Sequence, residues 1–211
     1  MSKIDVAKRP TKGLQTRERL LGAAIVEFTR AGVAGADVAT IVAAAGVAHG
    51  TFFFHFPTKE HVLLELEKRE EERMAAELER VFAEPHDVRT TLIAAVSVLE
   101  KLKARLGPLL FKDFLALHFS SNPPPANEWA NHPIIVAVVA DLQRAQDVGD
   151  IPTDVDTVHN GISYLVGLYA LLITIPEPMS QPFIDQLVST YLHGLRAVPL
   201  DDAQDCSRRS G

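Results

Sequence analysis

Residues 41–59 read Ile-Val-Ala-Ala-Ala-Gly-Val-Ala-His-Gly-Thr-Phe-Phe-Phe-His-Phe-Pro-Thr-Lys, and they are the most informative segment of the chain. Apolar residues lead into it with the spacing of one helical face, at Val38, Ile41, Val42 and Ala45. Asp37 is placed to cap that short helix, and Gly46 supplies the left-handed conformation that turns the chain. A second short, aromatic helix then runs to Pro57. The pattern predicts a helix-turn-helix, which argues for DNA binding.

The second helix of this motif is predicted to have a buried face and an exposed face. Val47, Phe52 and Phe56 can pack back on the first helix. The outward positions are then His49, Thr51, Phe53 and His55. One short helix cannot bury all four phenylalanines between residues 52 and 56. Exposed aromatic side chains next to a basic segment suit a groove lined by phosphates.

The distribution of charge supports the same function. The net charge is −6, which by itself argues against a nucleic-acid partner. Residues 1–59, however, carry eight lysines and arginines against four acidic residues, a net +4 that leaves −10 for the remainder. A basic N-terminal module on an acidic body allows one face to meet phosphates.

Composition limits the class of protein. With 211 residues and 47% hydrophobic composition, the chain can bury one sizeable core, or form a small domain attached to a larger one. The first twelve residues are polar and basic, so no secretory signal is expected. The longest apolar stretch, 162–175, contains polar interruptions and is too short to span a bilayer comfortably. Cys206 is the single cysteine, which excludes an internal disulfide. We therefore expect a cytoplasmic protein with no membrane partner.

Every periodic segment has the helical spacing, so we predict an all-α fold. The first helix is expected at 14–31, with Gly32 ending it, and Thr58 is expected to cap a long amphipathic helix. That helix carries an apolar stripe that includes Val81, and we interpret its charged run, 65–73, as solvated surface. Further helices are predicted at 87–106, 108–120, 133–147, 154–174 and 181–197, with glycine and proline breakers between them.

The first third of the chain resembles the TetR (tetracycline-repressor-like) family of bacterial transcription regulators. Three segments carry the resemblance: Thr-Arg-Glu-Arg-Leu-Leu-Gly-Ala-Ala at 16–24, the helix and turn at 41–47, and Gly-Thr-Phe-Phe-Phe-His-Phe-Pro-Thr-Lys-Glu at 50–60. Phe28 and Gly32 match as well. Beyond about residue 65 only the helical layout and total length match. The resemblance implies a dimer whose last two helices form an intersubunit four-helix bundle, and a C-terminal domain whose small effector weakens DNA binding.

On this basis we divide the chain into three parts. Residues 1–59 are predicted to form the N-terminal three-helix helix-turn-helix DNA-binding domain, and 60–197 the C-terminal helical domain for effector binding and dimerisation. Residues 198–211 are expected to be a disordered tail. The expected partners are a double-stranded DNA operator, a small-molecule effector and a second copy of the chain.

The resemblance also assigns DNA contacts to particular residues. It implies contacts with bases and phosphates for Thr51, Phe53 and His55, and a grip on the DNA backbone for Lys59. The remaining candidate DNA-binding residues are His49, Thr40 and Arg17.

Three positions depart from the family pattern. Phe53 stands where tyrosine is common, His49 where lysine is frequent, and Ala39 where an arginine often reads a base. Each departure removes a polar contact with DNA, so the operator sequence cannot be inferred from the operator of a relative.

The predicted effector pocket draws on two helices and the loop that follows the first. Phe111, Phe114 and His118 share one helical face, whereas Asn160 and Tyr164 place polar atoms on an otherwise apolar helix. Trp129 is the remaining candidate. A pocket needs a few convergent polar groups in an apolar wall, and core packing is the alternative interpretation of each residue. Such a wall favours an apolar or aromatic effector.

Dimerisation is predicted to use the last two helices. Glycines permitting close approach are Gly161, Gly167 and Gly194. Side chains expected to fill the contact are Val158, Leu165, Leu168, Leu187 and Leu195. A lone subunit would expose too much apolar surface.

Motifs for catalysis do not occur in the sequence. The eight histidines form no His-x-x-x-His pair, and no nucleophile elbow or phosphate-binding glycine loop is present. We predict no catalytic residues, no metal and no cofactor. The favoured function is a ligand-responsive transcriptional regulator, most often a repressor, binding a palindromic operator as a dimer. The alternative is a helical small-molecule binding protein or enzyme that has lost DNA binding.

Overall fold

The computed structural model of the protein describes residues 11–118 and 132–195. These residues form eight helices and contain no strand, which confirms the all-α prediction. The helices are α1 (Lys12–Gly35), α2 (Val38–Ala45), α3 (His49–His55), α4 (Lys59–Phe82), α5 (Val88–His118), α6 (Pro133–Asp147), α7 (Thr157–Thr174) and α8 (Ser180–Leu195). The tail predicted at 198–211 lies outside the described residues.

The chain divides into two compact units. The N-terminal unit contains the residues up to Arg69 together with Leu106–Phe114, and the C-terminal unit contains Glu70–Arg105 and the residues from Leu115 onward. Helices α4 and α5 each contribute residues to both units. The division between the units falls at Arg69, and Leu106–Phe114, which lies within the predicted domain 60–197, belongs to the N-terminal unit.

Helix α1 supplies the core of the N-terminal unit. Its buried apolar stripe consists of Leu20, Leu21, Ala24 and Phe28. Thr11 caps its start, and Gly32, with a φ of 69°, interrupts the helical backbone where the sequence predicted the end. Glu27, almost fully buried, pairs with Arg30 and accepts a hydrogen bond from the backbone N–H of Asp37. The pairing with Arg30 and that backbone bond lower the pKa of Glu27 and fix the junction between α1 and α2.

Helices α2 and α3 form the predicted helix-turn-helix. Asp37 accepts a hydrogen bond from the N–H of Ala39 and so caps α2, and Gly46 closes that helix with a φ of 63°. The axes of the two helices differ by 96°, within the range expected for the motif. Arg19 donates to the carbonyls of Ala45 and Gly46, which satisfies acceptors left open at the end of α2.

The charged run on α4 is not uniformly solvated, and this corrects the sequence interpretation. Glu67 and Glu71 are both more than nine-tenths buried, whereas Val81 of the predicted apolar stripe is 38% exposed. Within the C-terminal unit, Oε1 of Glu71 lies 2.7 Å from Nδ1 of His132. Burial of Glu71 is therefore compensated by a partner 61 residues away, which no local charge pattern could indicate.

Helix α5 contains the break predicted between 87–106 and 108–120. Gly107 has a φ of 73° and a ψ of 168°, and Pro108 follows it inside the helix. Both residues lie in the N-terminal unit, where a Cβ built on Gly107 would contact Thr29 at 3.5 Å. The break is therefore a kink between two helical segments and not a separate loop.

The C-terminal unit contains the layered helices α6, α7 and α8, with α7 packed against both neighbours. A Cβ on Gly161 would lie 2.8 Å from Val139 of α6, so this glycine permits close helix packing inside one chain. Leu165, Leu168 and Leu195 are also buried within the chain. These residues therefore belong to the core of the unit, and their predicted place in a dimer contact was wrong.

Candidate DNA-binding site

The recognition helix, α3, has the two faces that the sequence predicted. Phe52 and Phe56 are fully buried, and His49 is exposed, while Thr51 and His55 are partly exposed. Phe53 is 47% exposed and its ring centroid lies 5.4 Å from that of His49. The buried pair anchors the helix, so the outward side chains are held on a rigid support.

Phe54 is the residue that the sequence analysis did not include among the DNA-binding candidates. Its side chain is 84% exposed, the most exposed of the large apolar side chains in the described residues. Its ring meets that of His55 edge to face at 5.1 Å. A phenylalanine so exposed on a short helix next to basic residues marks a contact surface. The presence of four phenylalanines between residues 52 and 56 indicated that at least one of them is exposed, but it did not indicate whether Phe53 or Phe54 is the more exposed.

Lys59 begins α4 and is already engaged within the N-terminal unit. Its Nζ donates to the carbonyl oxygens of Ala34 and Ala36, each at 3.0 Å. The lysine thus satisfies carbonyl acceptors in the last turn and at the C-cap of α1. This positioning role was not predicted, and it accounts for two of the three N–H groups of the ammonium.

Thr58 and Thr40 each contact a residue three positions away. The hydroxyl of Thr58, just ahead of α4, lies 3.0 Å from Nδ1 of His61. Thr40 is exposed on α2, and its hydroxyl donates to the carboxylate of Asp37 at 3.2 Å. Thr40 therefore remains exposed at the surface of the helix-turn-helix.

Arg17, one of the predicted DNA-binding residues, is engaged within the N-terminal unit. Its Nη2 donates to Oε2 of Glu65 at 2.9 Å, and its Cζ lies 4.7 Å from the ring centroid of Phe56. Hydrogen bonding to Arg17 lowers the pKa of Glu65 to about 2. The guanidinium is thus held by an acidic partner and an aromatic face within the same unit.

The effector candidates are distributed over both units. Phe111 and Phe114 are buried in the N-terminal unit, whereas Asn160 and Tyr164 belong to the C-terminal unit. The side chain of Asn160 donates to the carbonyl of Asp156. Trp129 lies outside the described residues, and the described structure includes only the backbone of His118.

Tyr164 is buried and already satisfied within the C-terminal unit. Its hydroxyl donates to the carbonyl of Leu92 at 2.9 Å, and its ring contacts Tyr191 edge to face. Burial raises the pKa of this hydroxyl well above its usual range. The tyrosine is a core residue that ties α7 to α5, which is the alternative interpretation given above.

A cleft that the sequence did not predict lies between the end of α4 and α6, inside the C-terminal unit. Its volume is about 500 Å³. Apolar residues dominate the lining: Ala75, Phe82, Ala83, Pro133, Val136, Ala137 and Ala140. The three ionisable side chains in the lining are Glu79, Asp141 and Arg144. Neither helix shows the cleft in its own periodicity, because it exists only where two helices separated by the whole of α5 meet.

A buried polar network borders this cleft. Asp141 receives hydrogen bonds from Thr91 at 2.6 Å and from Arg144 at 2.7 Å, and Nε2 of His86 lies 2.9 Å from its carboxylate. Burial alone would raise the pKa of Asp141, but bonds from Arg144, His86 and Thr91 outweigh burial and lower it. The network ties α6 to the start of α5 and to the loop before it.

Residue types that could hold a divalent cation also occur in this unit. Glu71 and His132 form the buried pair described above. Carboxylate and imidazole are suitable ligands for several transition metals. The absence of a local histidine spacing could not reveal this pair, since its members come from α4 and the start of α6.

A short helix with buried phenylalanines, an exposed aromatic and histidine face, and a near-perpendicular partner helix defines a helix-turn-helix DNA-binding regulator. The sequence profile of the family described as "Bacterial regulatory proteins, tetR family" matches residues 20–66, which include α2, α3 and the start of α4. Over these residues the chain is similar to the tetR family of transcription regulators. Comparison with curated proteins gives no match.

Solved structures match nearly the whole chain. Salmonella enterica GusR is 27% identical, with 89% of this chain and 98% of that chain covered and a TM-score of 0.66. RolR in complex with the ligand resorcinol is 20% identical, covers 94% and 95% of the two chains, and has a TM-score of 0.68. Thermus thermophilus FadR in complex with lauroyl-CoA is 22% identical, covers 87% and 96%, and has a TM-score of 0.62. The fold of both units is therefore that of these regulators.

Proposed function

We propose that this protein is a homodimeric, ligand-responsive repressor that binds a palindromic operator and is released by a small apolar or aromatic effector. One observation carries the proposal: α3 exposes His49, Phe53 and Phe54 while Phe52 and Phe56 anchor it from behind. A soluble domain gains no stability from exposing two adjacent phenylalanines, so the exposed face serves recognition.

The exposed side chains suit contact with duplex DNA. Phenylalanine can pack against thymine methyl groups in the major groove, and threonine and histidine can donate to bases or phosphates. We assign these contacts to His49, Thr51, Phe53, Phe54 and His55, with Thr40 beside them. For Lys59, we propose that the N–H group not used within the unit donates to a phosphate oxygen.

A dimer is supported by apolar side chains left exposed in the C-terminal unit. Val158 lies on α7, Met179 lies between α7 and α8, and Phe183 lies on α8. Helix α7 is long and apolar enough to cross a membrane, yet only 33% of it is buried within the chain. We propose that a second copy covers this surface, so the protein remains cytoplasmic without a lipid partner.

The two-fold symmetry of such a dimer sets the geometry of the operator. Two recognition helices can enter successive major grooves about 34–36 Å apart. An effector that favours a different spacing would therefore reduce affinity for both half-sites together. Couplings of about 1–3 kcal/mol, typical of such regulators, correspond to roughly 5–150-fold changes in affinity.

The effector class rests on the apolar composition of the C-terminal unit. The ligands named for two structural neighbours, resorcinol and lauroyl-CoA, carry an aromatic ring and an acyl chain. We propose an effector of this general kind, bound within the C-terminal unit, and we propose binding rather than catalysis as the activity. The cleft between α4 and α6 is one candidate site, since Phe82 and Val136 line it beside Arg144.

A titration of the full-length protein against genomic DNA fragments tests the proposal. Specific fragments should be retained, and their affinity should fall steeply with salt, with a slope of about −0.9 per neutralised phosphate. Thr51→Ala should reduce binding to the selected fragments only, whereas Lys59→Ala should weaken all sequences alike. Absence of any salt-dependent DNA binding would favour a helical small-molecule binding protein or enzyme.

The effector is tested by thermal unfolding in the presence of aromatic and acyl compounds. A true effector should raise the melting temperature and release the selected DNA at the same concentrations. A compound that stabilises the protein without releasing DNA would argue against coupling between the two activities.

A further inference from the structure

Four charged side chains connect α1 to α4 inside the N-terminal unit. Arg69 donates to both carboxylate oxygens of Glu18, at 2.6 Å and 2.7 Å, and to Oε1 of Glu65 at 2.9 Å. Arg17 donates to the other oxygen of Glu65 at 2.9 Å. The two arginines and two glutamates therefore form one continuous chain of ion pairs across two helices.

Phe56 connects this ionic network to the recognition helix. It is the residue immediately after α3 and is fully buried, and the guanidinium of Arg17 lies 4.7 Å from its ring centroid. The same guanidinium is hydrogen bonded to Glu65 of α4. Arg17 thus touches the end of the recognition helix with its π face and α4 with its N–H groups.

We propose that Arg17 and Glu65 are positioning residues, which set the angle between the recognition helix and α4 and thereby operator affinity, without contacting DNA. The proposal deepens the function proposed above and rests on it. It also assigns a role to Glu65, an acidic residue in a basic unit, which direct electrostatic attraction to DNA does not explain.

The geometry favours this role over a phosphate contact. Isolated surface ion pairs contribute little, but Arg69 binds Glu18 through two hydrogen bonds and links it to Glu65 and Arg17, and a network of this kind holds a defined geometry. Arg17 and Glu65 are also only 29% and 24% exposed, so the pair is partly shielded from solvent. To reach a phosphate, Arg17 would have to leave both Glu65 and the ring of Phe56.

The two roles predict opposite effects for one substitution. If electrostatic attraction alone governed binding, Glu65→Gln would strengthen DNA binding, because it removes a negative charge from the unit that meets DNA. If Glu65 positions the recognition helix through Arg17, the same substitution weakens operator binding. The sign of the effect therefore separates the two roles.

The experiment measures operator affinity over a range of salt for the full-length dimer and four variants. These are Arg17→Gln, Glu65→Gln, the double variant, and Glu60→Gln as the matched control. Glu60 is exposed in the first turn of α4 and lies outside the ion-pair network, so its variant removes the same charge from the same helix. Thermal unfolding by circular dichroism accompanies each titration.

We expect Arg17→Gln and Glu65→Gln each to lower operator affinity about fivefold, and the double variant to lose little more, since both remove the same link. The salt slope of Arg17→Gln should equal that of the parent, and Glu60→Gln should bind as tightly as the parent or more tightly. If Arg17→Gln unfolds at the assay temperature, the direction in which Glu65→Gln changes operator affinity still distinguishes the positioning role from simple electrostatic attraction.

Several results would overturn the inference. A salt slope reduced by about 0.9 in Arg17→Gln, with Glu65→Gln unchanged or tighter, would make Arg17 a phosphate contact. If the losses of operator affinity in the two single variants add up in the double variant, Arg17 and Glu65 act separately. If neither single variant changes operator affinity, the two residues have no positioning role. A parent protein that binds no operator would instead refute the proposed function itself, and the inference with it.

Discussion

The backbone N–H of Val33 donates a hydrogen bond of 2.6 Å to Oδ2 of Asp113, although the two residues lie 80 positions apart. The bond follows Gly32, where α1 leaves its helical conformation. Both residues belong to the N-terminal unit. A segment of α5 therefore supports the unit that carries the recognition helix, far outside the sequence motif that identifies it.

Removing this support should destabilise the N-terminal unit. We expect Asp113→Ala to lower the free energy of unfolding by about 1–3 kcal/mol, because it leaves the Val33 donor without its charged acceptor. Urea denaturation followed by circular dichroism measures the loss. Lys112→Ala, exposed at the neighbouring position, is the control and should change stability by less than about 0.5 kcal/mol. Equal effects of the two variants would contradict this role for Asp113.

Two adjacent phenylalanines should separate folding from recognition. Phe52 is fully buried, so Phe52→Ala should lower stability by about 3–5 kcal/mol. Phe53 is 47% exposed, so Phe53→Ala should keep the melting temperature near that of the parent while weakening binding to selected DNA. Melting curves and anisotropy titrations of both variants provide the comparison. A large loss of stability in Phe53→Ala would show that this ring is structural.

The pH dependence of stability should report on Glu65. Its pKa is lowered from an ordinary 4.5 to about 2 by Arg17 and Arg69, so the folded state binds protons less readily than the unfolded chain. The stabilisation is therefore complete above about pH 4.5 and disappears as the pH falls through about 2. Compared with Glu65→Gln, the parent should be more stable at neutral pH, and the difference should vanish near pH 2. A difference that grows on acidification would contradict the lowered pKa.

The network around Asp141 should be essential to the C-terminal unit. Asp141→Ala removes the acceptor shared by Thr91, Arg144 and His86, and it leaves the buried hydroxyl and imidazole without their acceptor. We expect a loss of about 3–5 kcal/mol in the free energy of unfolding. Asp147→Ala, exposed on the same helix, serves as the control. Chemical denaturation of both variants should distinguish a structural network from a surface carboxylate.

Local signals in the sequence predicted the helices and their ends well. Asp37 and Gly46 bound α2 because a cap and a left-handed glycine act within a few residues of their own position. The kink at Gly107 was predicted for the same reason. The buried and exposed faces of α3 followed from the size of a short helix, and Phe52 and Phe56 confirm them.

Tertiary partners explain what the sequence did not predict. The burial of Glu71 is compensated by His132, which comes from the start of α6, and Arg17 is hydrogen bonded to Glu65, 48 positions later. Tyr164 satisfies its hydroxyl on the carbonyl of Leu92, which removes the reason for assigning it to a pocket. Long-range pairings of this kind leave no periodic trace in the chain.

The participation of Leu106–Phe114 in the N-terminal unit has a practical consequence for protein engineering. A chimeric regulator made by joining the first 59 residues to a foreign body would lose Glu65, Arg69 and Asp113 together. Its transplanted motif would then keep every side chain that we propose to contact the operator, and none of these three side chains that support the N-terminal unit. A functional graft should carry α4 as far as Arg69 and bring the α5 segment with it as a second insert.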